Sequence, residues 1–379
     1  MKIKILAAAL CLAALFSATV CAVPSPGDSA RASVVIEAES GEIVFEKNAH
    51  ERKGPASTTK IMTALIALEN GNPEEIVKVD ARAVGTEGSS AYLCAGESVL
   101  LSDLLYAMML GSANDAAAAI AYHIGGSIEG FAEMMNARAE ELGLSDTHFE
   151  NPHGLDGESH YTSAYDLSMI ARAALKNEKF REIVSTKTKA IKLSDGNVSR
   201  VFRNHNRLLF EYGDIIGVKT GFTKKCGRTL VSAAERDGVT VICVTLCDGD
   251  DWRDHRRLLS AGLDLYEKVT LCRSGELEST VHVCGGEKAS ARVSCKEELA
   301  VVLPKNHGRI TSSVSLPPFV YAGFDAGKEL GFVTFYLDGD PIGKVALVAD
   351  EGCDIKQKKK NMRLVSSTSI ILNGQRQYC

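Results

Sequence analysis

The 379-residue chain lacks the patterns by which several protein classes are recognised. It has no CxxC pair and no HExxH motif, so neither structural zinc nor a zinc peptidase is expected, and no other cofactor is implied. The formal net charge of −5 does not suit nucleic acid as a partner. Internal repeats and low-complexity blocks are also absent. What remains is an ordinary globular composition in a chain long enough for about two or three domains.

The chain also lacks an apolar stretch long enough to span a membrane as a helix. The apolar run at residues 5–16 follows a short basic segment and has the length of a signal-peptide core. Val20 and Ala22 fit the small-residue rule for cleavage, so residues 1–22 are predicted to be a signal peptide and the protein to be exported. A lipoprotein anchored through Cys21 is a weaker alternative, because Val20 is large for that position.

Cysteine is not scarce, but its arrangement predicts no disulfide pattern. Two of the eleven cysteines lie in the predicted signal peptide, which leaves an odd number. Cys243 and Cys247 lie in one predicted strand, where four residues span about 13 Å, too far for a bridge. These two are expected to be free thiols, and the pairing of the others stays open.

Hydrophobic periodicity predicts an α+β domain over residues 31–270, with strands at both ends and helices between them. A hairpin is predicted at residues 33–46, and a helix begins near Ser57 and stops at Gly71. Further helices are predicted at residues 102–110, 113–123, 128–142, 163–175 and 252–268. Further strands are predicted at residues 200–203, 215–219, 229–234 and 239–247.

After residue 271 the pattern changes to alternating β-branched and polar residues. Residues 272–352 are predicted to be a small all-β domain, and Asp338-Gly339 is a strong hairpin-turn signal. Residues 353–379 form a basic tail whose cluster at residues 356–363 gives at most weak attraction to an anionic membrane surface.

The first candidate motif is Ser57-Thr-Thr-Lys60, which places a hydroxyl and an amine one helical turn apart. A serine is a poor nucleophile without an adjacent base, and a lysine serves only if burial or other cations lower its pKa. The SxxK pattern is common by chance. It occurs only once here, however, and it opens a strongly apolar helix.

The second and third motifs are Ser112-Ala-Asn114, at a break between predicted helices, and Lys219-Thr-Gly221, at a predicted strand end. A loop hydroxyl can relay a proton and an asparagine amide can hold a carbonyl, although helix capping explains such residues more often. A lysine and a hydroxyl at a strand edge suit a carboxylate, and glycine allows close backbone approach. An ordinary strand end is the alternative.

In this order, and after a signal peptide, the three motifs resemble the signature of penicillin-binding proteins and class A β-lactamases. Nearly the whole mature chain is similar to the D-alanyl-D-alanine carboxypeptidases, the low-molecular-weight penicillin-binding proteins, and most of all to the Gram-positive sporulation and vegetative type. The segments that carry the resemblance are Pro55-Ala-Ser-Thr-Thr-Lys60, Leu110-Gly-Ser-Ala-Asn-Asp115, Asn151-Pro-His-Gly-Leu155 and Gly217-Val-Lys-Thr-Gly-Phe-Thr223.

The resemblance implies a β-lactamase/transpeptidase-like domain, an antiparallel sheet flanked by helices, followed by a small all-β domain. It implies a serine-type carboxypeptidase that trims the terminal D-alanine of peptidoglycan pentapeptides and is inhibited covalently by β-lactams. Ser57 would be acylated, Lys60 would be its base, and Ser112 would relay the proton toward the leaving D-alanine.

The same resemblance implies how the substrate is held. Asn114 would hold the substrate amide, and Lys219 with Thr220, in the motif closed by Gly221, would bind the terminal carboxylate. The backbone N–H groups of Ser57 and Phe222 would form the oxyanion hole.

Two further residues are candidates for a role in the site, and two others depart from the family pattern. Arg253, or another arginine at residues 252–257, is a candidate for carboxylate binding, and His153 is a candidate for either a catalytic or a structural part. Cys94 and His205 depart from the family pattern, since relatives often have an acidic residue and an arginine there.

Three other functions remain open. A β-lactamase would need a positioned glutamate for fast deacylation, and Glu150-Asn-Pro-His lacks the expected Glu-x-x-x-Asn pattern. A D,D-endopeptidase would use the same motifs on larger, cross-linked substrates. A non-catalytic penicillin sensor would keep the serine but normally lies beside transmembrane helices.

Overall fold

The computed structural model describes residues 25–192 and 199–357. The chain divides into two compact units, with the boundary between Glu267 and Lys268. The predicted signal peptide at residues 1–22 and the part of the basic tail from residue 358 onward lie outside the described residues.

The first unit contains the predicted helices and strands in the predicted order, together with short elements at residues 76–78, 98–100, 178–185, 188–192 and 208–211 that were not predicted. The helices are α1 (Lys60–Asn70), α2 (Leu101–Leu110), α3 (Asn114–Gly125), α4 (Ile128–Glu141), α5 (Ala164–Leu175), α6 (Glu178–Ser185), α7 (Leu208–Glu211) and α8 (Asp251–Leu265). The strands are β1 (Ala32–Glu37), β2 (Ile43–Lys47), β3 (Ile76–Lys78), β4 (Ser98–Leu100), β5 (Thr188–Lys192), β6 (Ser199–Arg203), β7 (Ile215–Thr223), β8 (Gly227–Arg236) and β9 (Val239–Leu246).

Five of these strands form one antiparallel sheet in the order β2-β1-β9-β8-β7. Strands from both ends of the segment therefore share a sheet, as predicted. Because β7 is the last strand in this order, one of its edges is left unpaired in the sheet. Strands β3 with β4 and β5 with β6 form two small hairpin-like pairs outside the sheet.

The core of this unit lies between the sheet and the helices. Residues 116–121 of α3 include five alanines, and all six side chains are buried, so the small residues let neighbouring helices approach closely. Ser163 caps α5 by accepting a hydrogen bond from the Asp166 backbone at 3.1 Å.

Two element boundaries differ from the prediction. The helix expected at residues 252–268 ends at Leu265, and the next residues, Tyr266–Cys272, form a strand because polar and apolar side chains alternate there. Strand β7 continues to Thr223, so Lys219-Thr-Gly221 lies inside the strand rather than at its end.

The second unit is built of strands. These are β10 (Tyr266–Cys272), which begins just before the boundary, β11 (Ser279–Cys284), β12 (Ser290–Cys295), β13 (Leu299–Pro304), β14 (Ile310–Ser315), β15 (Val320–Tyr321), β16 (Glu329–Leu337) and β17 (Asp340–Ala349). Six of them form a sheet in the order β14-β16-β17-β12-β11-β15. Asp338 and Gly339, both with positive φ, form the predicted turn between β16 and β17.

Cysteines and membrane spans complete the description. The eight cysteines in the described residues are unbridged, Cys243 is buried, and Cys243 and Cys247 are free as predicted. Within residues 25–192 and 199–357, no helix combines the length and the apolar character needed to cross a membrane.

Candidate active site

Ser57 lies in a short 3-10 turn, Ala56–Thr59, that runs directly into α1. Ala56 has a φ of 49°, a conformation that is uncommon for residues other than glycine. Gly154 packs against this turn so closely that an added Cβ would lie 1.9 Å from the Ala56 carbonyl oxygen. The turn that carries Ser57 therefore has an unusual conformation and packs against a neighbouring loop at a distance that only glycine permits.

Lys60, the first residue of α1, is fully buried and has three polar neighbours. Its Nζ atom lies 2.6 Å from Asn114 Oδ1, 2.6 Å from the His153 carbonyl oxygen and 3.0 Å from Ser57 Oγ. The two carbonyl-type oxygens can only accept hydrogen bonds, so each takes one N–H of the amine. A neutral amine then has its lone pair left for the Ser57 hydroxyl.

Lys60 and Lys219 are both buried next to a serine hydroxyl, and burial lowers the pKa of both. Desolvation, followed by the charge of Lys219, holds the pKa of Lys60 well below its usual value, and the carboxylate of Asp115 opposes this shift. Desolvation lowers the pKa of Lys219 to about 7. The lysine next to Ser57 therefore has the low basicity that a neutral base requires near neutral pH.

Ser112 lies between α2 and α3, at the helix break that the sequence indicated, and has a φ of 60°. Its Oγ atom accepts a hydrogen bond from Lys219 Nζ at 3.1 Å, and the same amine donates to the Thr220 carbonyl oxygen at 2.8 Å. The structure therefore brings the second and third sequence motifs into direct contact.

Asn114, the first residue of α3, is also buried, and both polar atoms of its side chain make hydrogen bonds. Its Oδ1 atom accepts from Lys60, and its Nδ2 atom donates to the Glu87 carbonyl oxygen at 2.5 Å. Because an amide nitrogen carries two hydrogens, one N–H is left for a substrate carbonyl.

Asp115 was missed by the sequence analysis as a residue of the site. It is buried and accepts hydrogen bonds from the backbone N–H groups of Ala91 (2.8 Å) and Leu93 (3.0 Å) and from the Ser90 hydroxyl (2.7 Å). These bonds tie the loop that carries Ser89 to the start of α3. The sequence signals Asp115 only by its position next to Asn114 in the Ser-Ala-Asn-Asp segment.

Strand β7 forms one wall of the cleft. An added Cβ at Gly221 would lie 3.0 Å from the Ser57 backbone nitrogen and 2.4 Å from Thr229 Oγ1, so only glycine allows this approach. Thr220 is half-buried and Phe222 is exposed at the rim.

The cleft has a volume of about 510 Å³. Its lining contains residues of all three motifs together with residues from the loop before β4, from the segment after β6, from β8 and from α8. The lining residues are Ser57, Ser89, Ser112, His205, Thr220, Gly221, Phe222, Arg228, Asp251 and Trp252.

Arg228 on β8, a residue that the sequence analysis missed, lines the cleft. It pairs in register with Phe222, donates to Asp251 Oδ1 at 2.6 Å and lies over the Trp252 ring. Arg253, the sequence candidate, does not line the cleft: it is exposed, 3.8 Å from Asp250. Its position at the surface follows from the helical phase of α8, which turns Asp251 inward and Arg253 outward.

The two candidate histidines differ in position. His153 contributes its carbonyl oxygen to Lys60, and burial lowers the pKa of its ring to about 3. Its ring nitrogen Nδ1 accepts from the Leu155 backbone at 3.3 Å, which favours the structural interpretation. His205 lines the cleft, and burial together with Lys219 lowers its pKa.

Across residues 25–192 and 199–357, no cluster of histidine, cysteine and acidic side chains has the arrangement of a metal site. The groups that meet here are two serine hydroxyls, two buried amines and an amide, a set that can support acyl transfer.

Comparison with known proteins agrees with the family that the sequence motifs indicate. Residues 19–249 match the D-alanyl-D-alanine carboxypeptidases, and residues 266–354 match the C-terminal domain of penicillin-binding protein 5. The chain belongs to the D-alanyl-D-alanine carboxypeptidase family. This confirms the expected family, which is one of serine hydrolases, and the enzyme class.

Individual relatives cover most of the chain. D-alanyl-D-alanine carboxypeptidase DacF of Bacillus subtilis (strain 168) is 30% identical, with 85% of this chain and 85% of the relative aligned. DacA of Escherichia coli (strain K12) is 29% identical, with 85% and 83% aligned.

Solved structures of similar proteins share the fold. Penicillin-binding protein 5 from Haemophilus influenzae has a TM-score of 0.64 at 27% identity, covering 88% of this chain and 99% of that one. The Streptomyces K15 DD-transpeptidase has a TM-score of 0.61 at 33% identity, covering 64% and 100%. The expected fold class is confirmed.

The charge of Asp115 gives a testable pH dependence. A neutral Lys60 is lost as the pH falls through its pKa, so acylation declines on the acid side. Because the Asp115 carboxylate raises that pKa, Asp115→Asn should move the acid limb to lower pH. The measurement is the rate of acylation by a fluorescent penicillin as a function of pH.

Ser90→Ala is the matched control for that experiment. It removes one hydrogen bond to Asp115 but leaves the charge in place, so its acid limb should stay where the wild-type limb lies. If the acid limb of the Asp115→Asn profile stays in place or moves to higher pH, the claim that the Asp115 carboxylate raises the pKa of Lys60 is wrong.

Proposed function

We propose that the protein releases the terminal D-alanine of peptidoglycan pentapeptides through an acyl-enzyme on Ser57. The observation that carries this proposal is the environment of Lys60, whose two carbonyl-type neighbours leave only the Ser57 hydroxyl for the amine lone pair. Family membership supports the substrate class, because the family acts on D-alanyl-D-alanine termini.

Acylation begins with Ser57. Its Oγ atom attacks the carbonyl carbon of the penultimate D-alanine, and the hydroxyl proton passes to Lys60 Nζ, 3.0 Å away. The burial that lowers the pKa of Lys60 keeps this amine unprotonated and ready to accept. The peptide bond then breaks, and its nitrogen needs a proton to leave as an amine.

Ser112 is in position to deliver that proton. Its hydroxyl lies 3.1 Å from Lys219 Nζ and faces the same cleft as Ser57. The Ser112 hydroxyl passes a proton to the leaving nitrogen, and the proton that Lys60 took from Ser57 restores it. Water then hydrolyses the ester, which releases the shortened peptide and regenerates the Ser57 hydroxyl. Asn114 meanwhile directs its remaining N–H to the substrate amide.

The developing oxyanion is held by backbone donors. The N–H groups of Ser57 and Phe222 are proposed for this part, and the close approach of Gly221 to the Ser57 nitrogen supports it. Such preorganised donors contribute roughly 3 to 4 kcal/mol each in acyl-transfer enzymes.

The terminal carboxylate of the substrate is bound by Lys219, Thr220 and Arg228. Arg228 replaces the arginine that the sequence analysis sought in α8, because it alone among the arginines considered lines the cleft. Asp251 is buried and holds the guanidinium, which leaves other N–H groups of Arg228 for the substrate carboxylate.

Fast penicillin hydrolysis is not favoured by the geometry. Within the described residues the cleft lining contains no glutamate, and Glu150 is committed to the Ser159 backbone at 3.0 Å. β-Lactams are therefore proposed as covalent inhibitors that acylate Ser57 and leave slowly.

The proposed cellular location of the protein follows from its proposed substrate. Peptidoglycan lies outside the cytoplasmic membrane, so the protein is proposed to be exported by residues 1–22. The catalytic domain at residues 31–270 precedes the β-rich domain at residues 272–352, and the tail at residues 353–379 is proposed to make at most weak contact with the membrane surface.

The serine assignment is tested by Ser57→Ala. The variant should lose labelling by fluorescent penicillin and lose D-alanine release by on the order of a thousandfold or more, because no other group forms the ester. Ser185→Ala, an exposed hydroxyl on α6, serves as control and should keep both. Persistent labelling of Ser57→Ala would rule out the proposed nucleophile.

The carboxylate assignment is tested by Arg228→Gln and Arg228→Lys. Loss of the charged donor should raise KM for a D-alanyl-D-alanine peptide by roughly tenfold or more, while kcat changes less. Lysine restores the charge but not the paired donors, so the KM of Arg228→Lys should lie between those of the wild type and Arg228→Gln. An unchanged KM in Arg228→Gln would remove this residue from the binding site.

A further inference from the structure

Two cysteines of the second unit lie side by side in its core. Cys272 is the last residue of β10 and Cys295 is the last residue of β12, and the two residues are 2% and 1% exposed. Both belong to the same cluster of buried apolar residues. Their thiols are hydrogen-bonded to each other. The pair is therefore shielded from water and in direct contact.

A tight turn directly after β10 holds this contact in place. The Glu276 N–H donates to the Arg273 carbonyl oxygen at 3.1 Å, and Gly275 in the turn has a φ of 81°. The Gly275 N–H donates to the Cys295 carbonyl oxygen at 2.8 Å, and the Cys295 N–H donates to the Glu276 carbonyl oxygen at 2.9 Å. Because the backbone already joins the two segments, only a small movement of the side chains is needed for an S–S bond of about 2.0 Å.

The other two described cysteines of this unit are poorly placed to compete. Cys353 Sγ lies 3.9 Å from the carbonyl oxygen of Lys288, just before β12, whereas Cys295 is at the far end of that strand. A six-residue strand spans about 17 Å, and the Cα atoms of a disulfide are usually about 4 to 7 Å apart. Cys284 follows the buried Val283 on β11, so its side chain points to the opposite face of the strand.

We propose that Cys272 and Cys295 are oxidised to a disulfide in the mature protein. The step is a thiol–disulfide exchange with an oxidant that itself carries a disulfide, such as oxidised glutathione or an oxidised dithiol protein. One cysteine thiolate attacks the oxidant and forms a mixed disulfide, and the second cysteine thiolate then displaces the oxidant's remaining sulfur. The two cysteines lose two electrons and two protons, and the oxidant gains them as two thiols.

Burial determines when the bond forms. Desolvation, followed by the hydrogen bond to Cys272 and its charge, raises the pKa of Cys295 to about 12, so the folded pair provides almost no thiolate. The exchange therefore takes place while the chain folds, before β10 and β12 are packed. An exported chain meets oxidising conditions at that stage, and residues 1–22 are proposed to direct export.

The bond would connect two sheets of the second unit covalently. Strand β10 pairs with β13, whereas β12 lies inside the six-stranded sheet. Closing the loop at residues 272–295 also restricts the unfolded chain, which stabilises the folded unit.

The test is a peptide map of the full mature chain, secreted by an expressing cell and purified without reductant. Free thiols are blocked with N-ethylmaleimide under denaturing, mildly acidic conditions, and the protein is then cut with trypsin. Trypsin releases Cys272 within residues 269–273 and Cys295 within residues 293–296. Mass spectrometry should find these two peptides joined, two hydrogens lighter than their sum, and should find Cys284 blocked in a separate peptide.

Reduction provides a second readout. In scanning calorimetry of the full mature wild type, a reductant should lower one unfolding transition by about ten degrees, because the closed loop no longer restricts the unfolded chain. Cys272→Ser should show no such dependence on reductant. Cys353→Ser is the matched control, since it removes a buried thiol from the same core and should keep the dependence.

The peptide map needs only the wild type, so it decides the inference even if a variant fails to fold. Recovery of the two peptides separately, each with a blocked thiol, would overturn the inference. Either peptide joined mainly to a different cysteine would also overturn it, as would a reductant effect that persists in Cys272→Ser.

Discussion

The contact on which the rest of the site depends is the one between Lys60 and its three oxygen neighbours. Asn114 Oδ1 and the His153 carbonyl oxygen each accept one N–H, which aims the amine lone pair of a neutral Lys60 at Ser57 Oγ. A protonated amine in the same place would have no lone pair to offer. The fold must therefore both orient the amine and keep it neutral, and full burial beside Lys219 does the second.

Each of the three neighbours comes from a different part of the chain, which explains the architecture around the site. Ser57 precedes α1, Asn114 opens α3 after a helix break, and His153 lies in the loop that also presses Gly154 against the nucleophile turn. Strand β7, at the edge of the sheet, closes the cleft and brings Gly221 to the Ser57 nitrogen. No local segment builds the site, so its geometry depends on the packing of the whole catalytic unit.

Much of this could be predicted from the sequence, and the exceptions have physical reasons. The motifs predicted which side chains meet, because SxxK and KTG have a fixed spacing within a helix or strand and SxN lies at a break between helices. Arg228 and Asp115 were missed because their partners, Asp251 and the loop at residues 90–93, are remote or irregular, and no periodicity signals such contacts. The end of α8 was misplaced because a helix and a strand meet there without a breaker.

The central claim is that burial makes Lys60 a neutral base beside a second buried amine. Lysine labelled with ¹³C at Cε, titrated by NMR and assigned with Lys60→Arg and Lys219→Arg variants, tests it most directly. The account predicts that two resonances titrate far below the exposed lysines, with that of Lys219 near a pKa of about 7. Titration of both residues together with the exposed lysines, near their ordinary pKa of about 10.4, would contradict it.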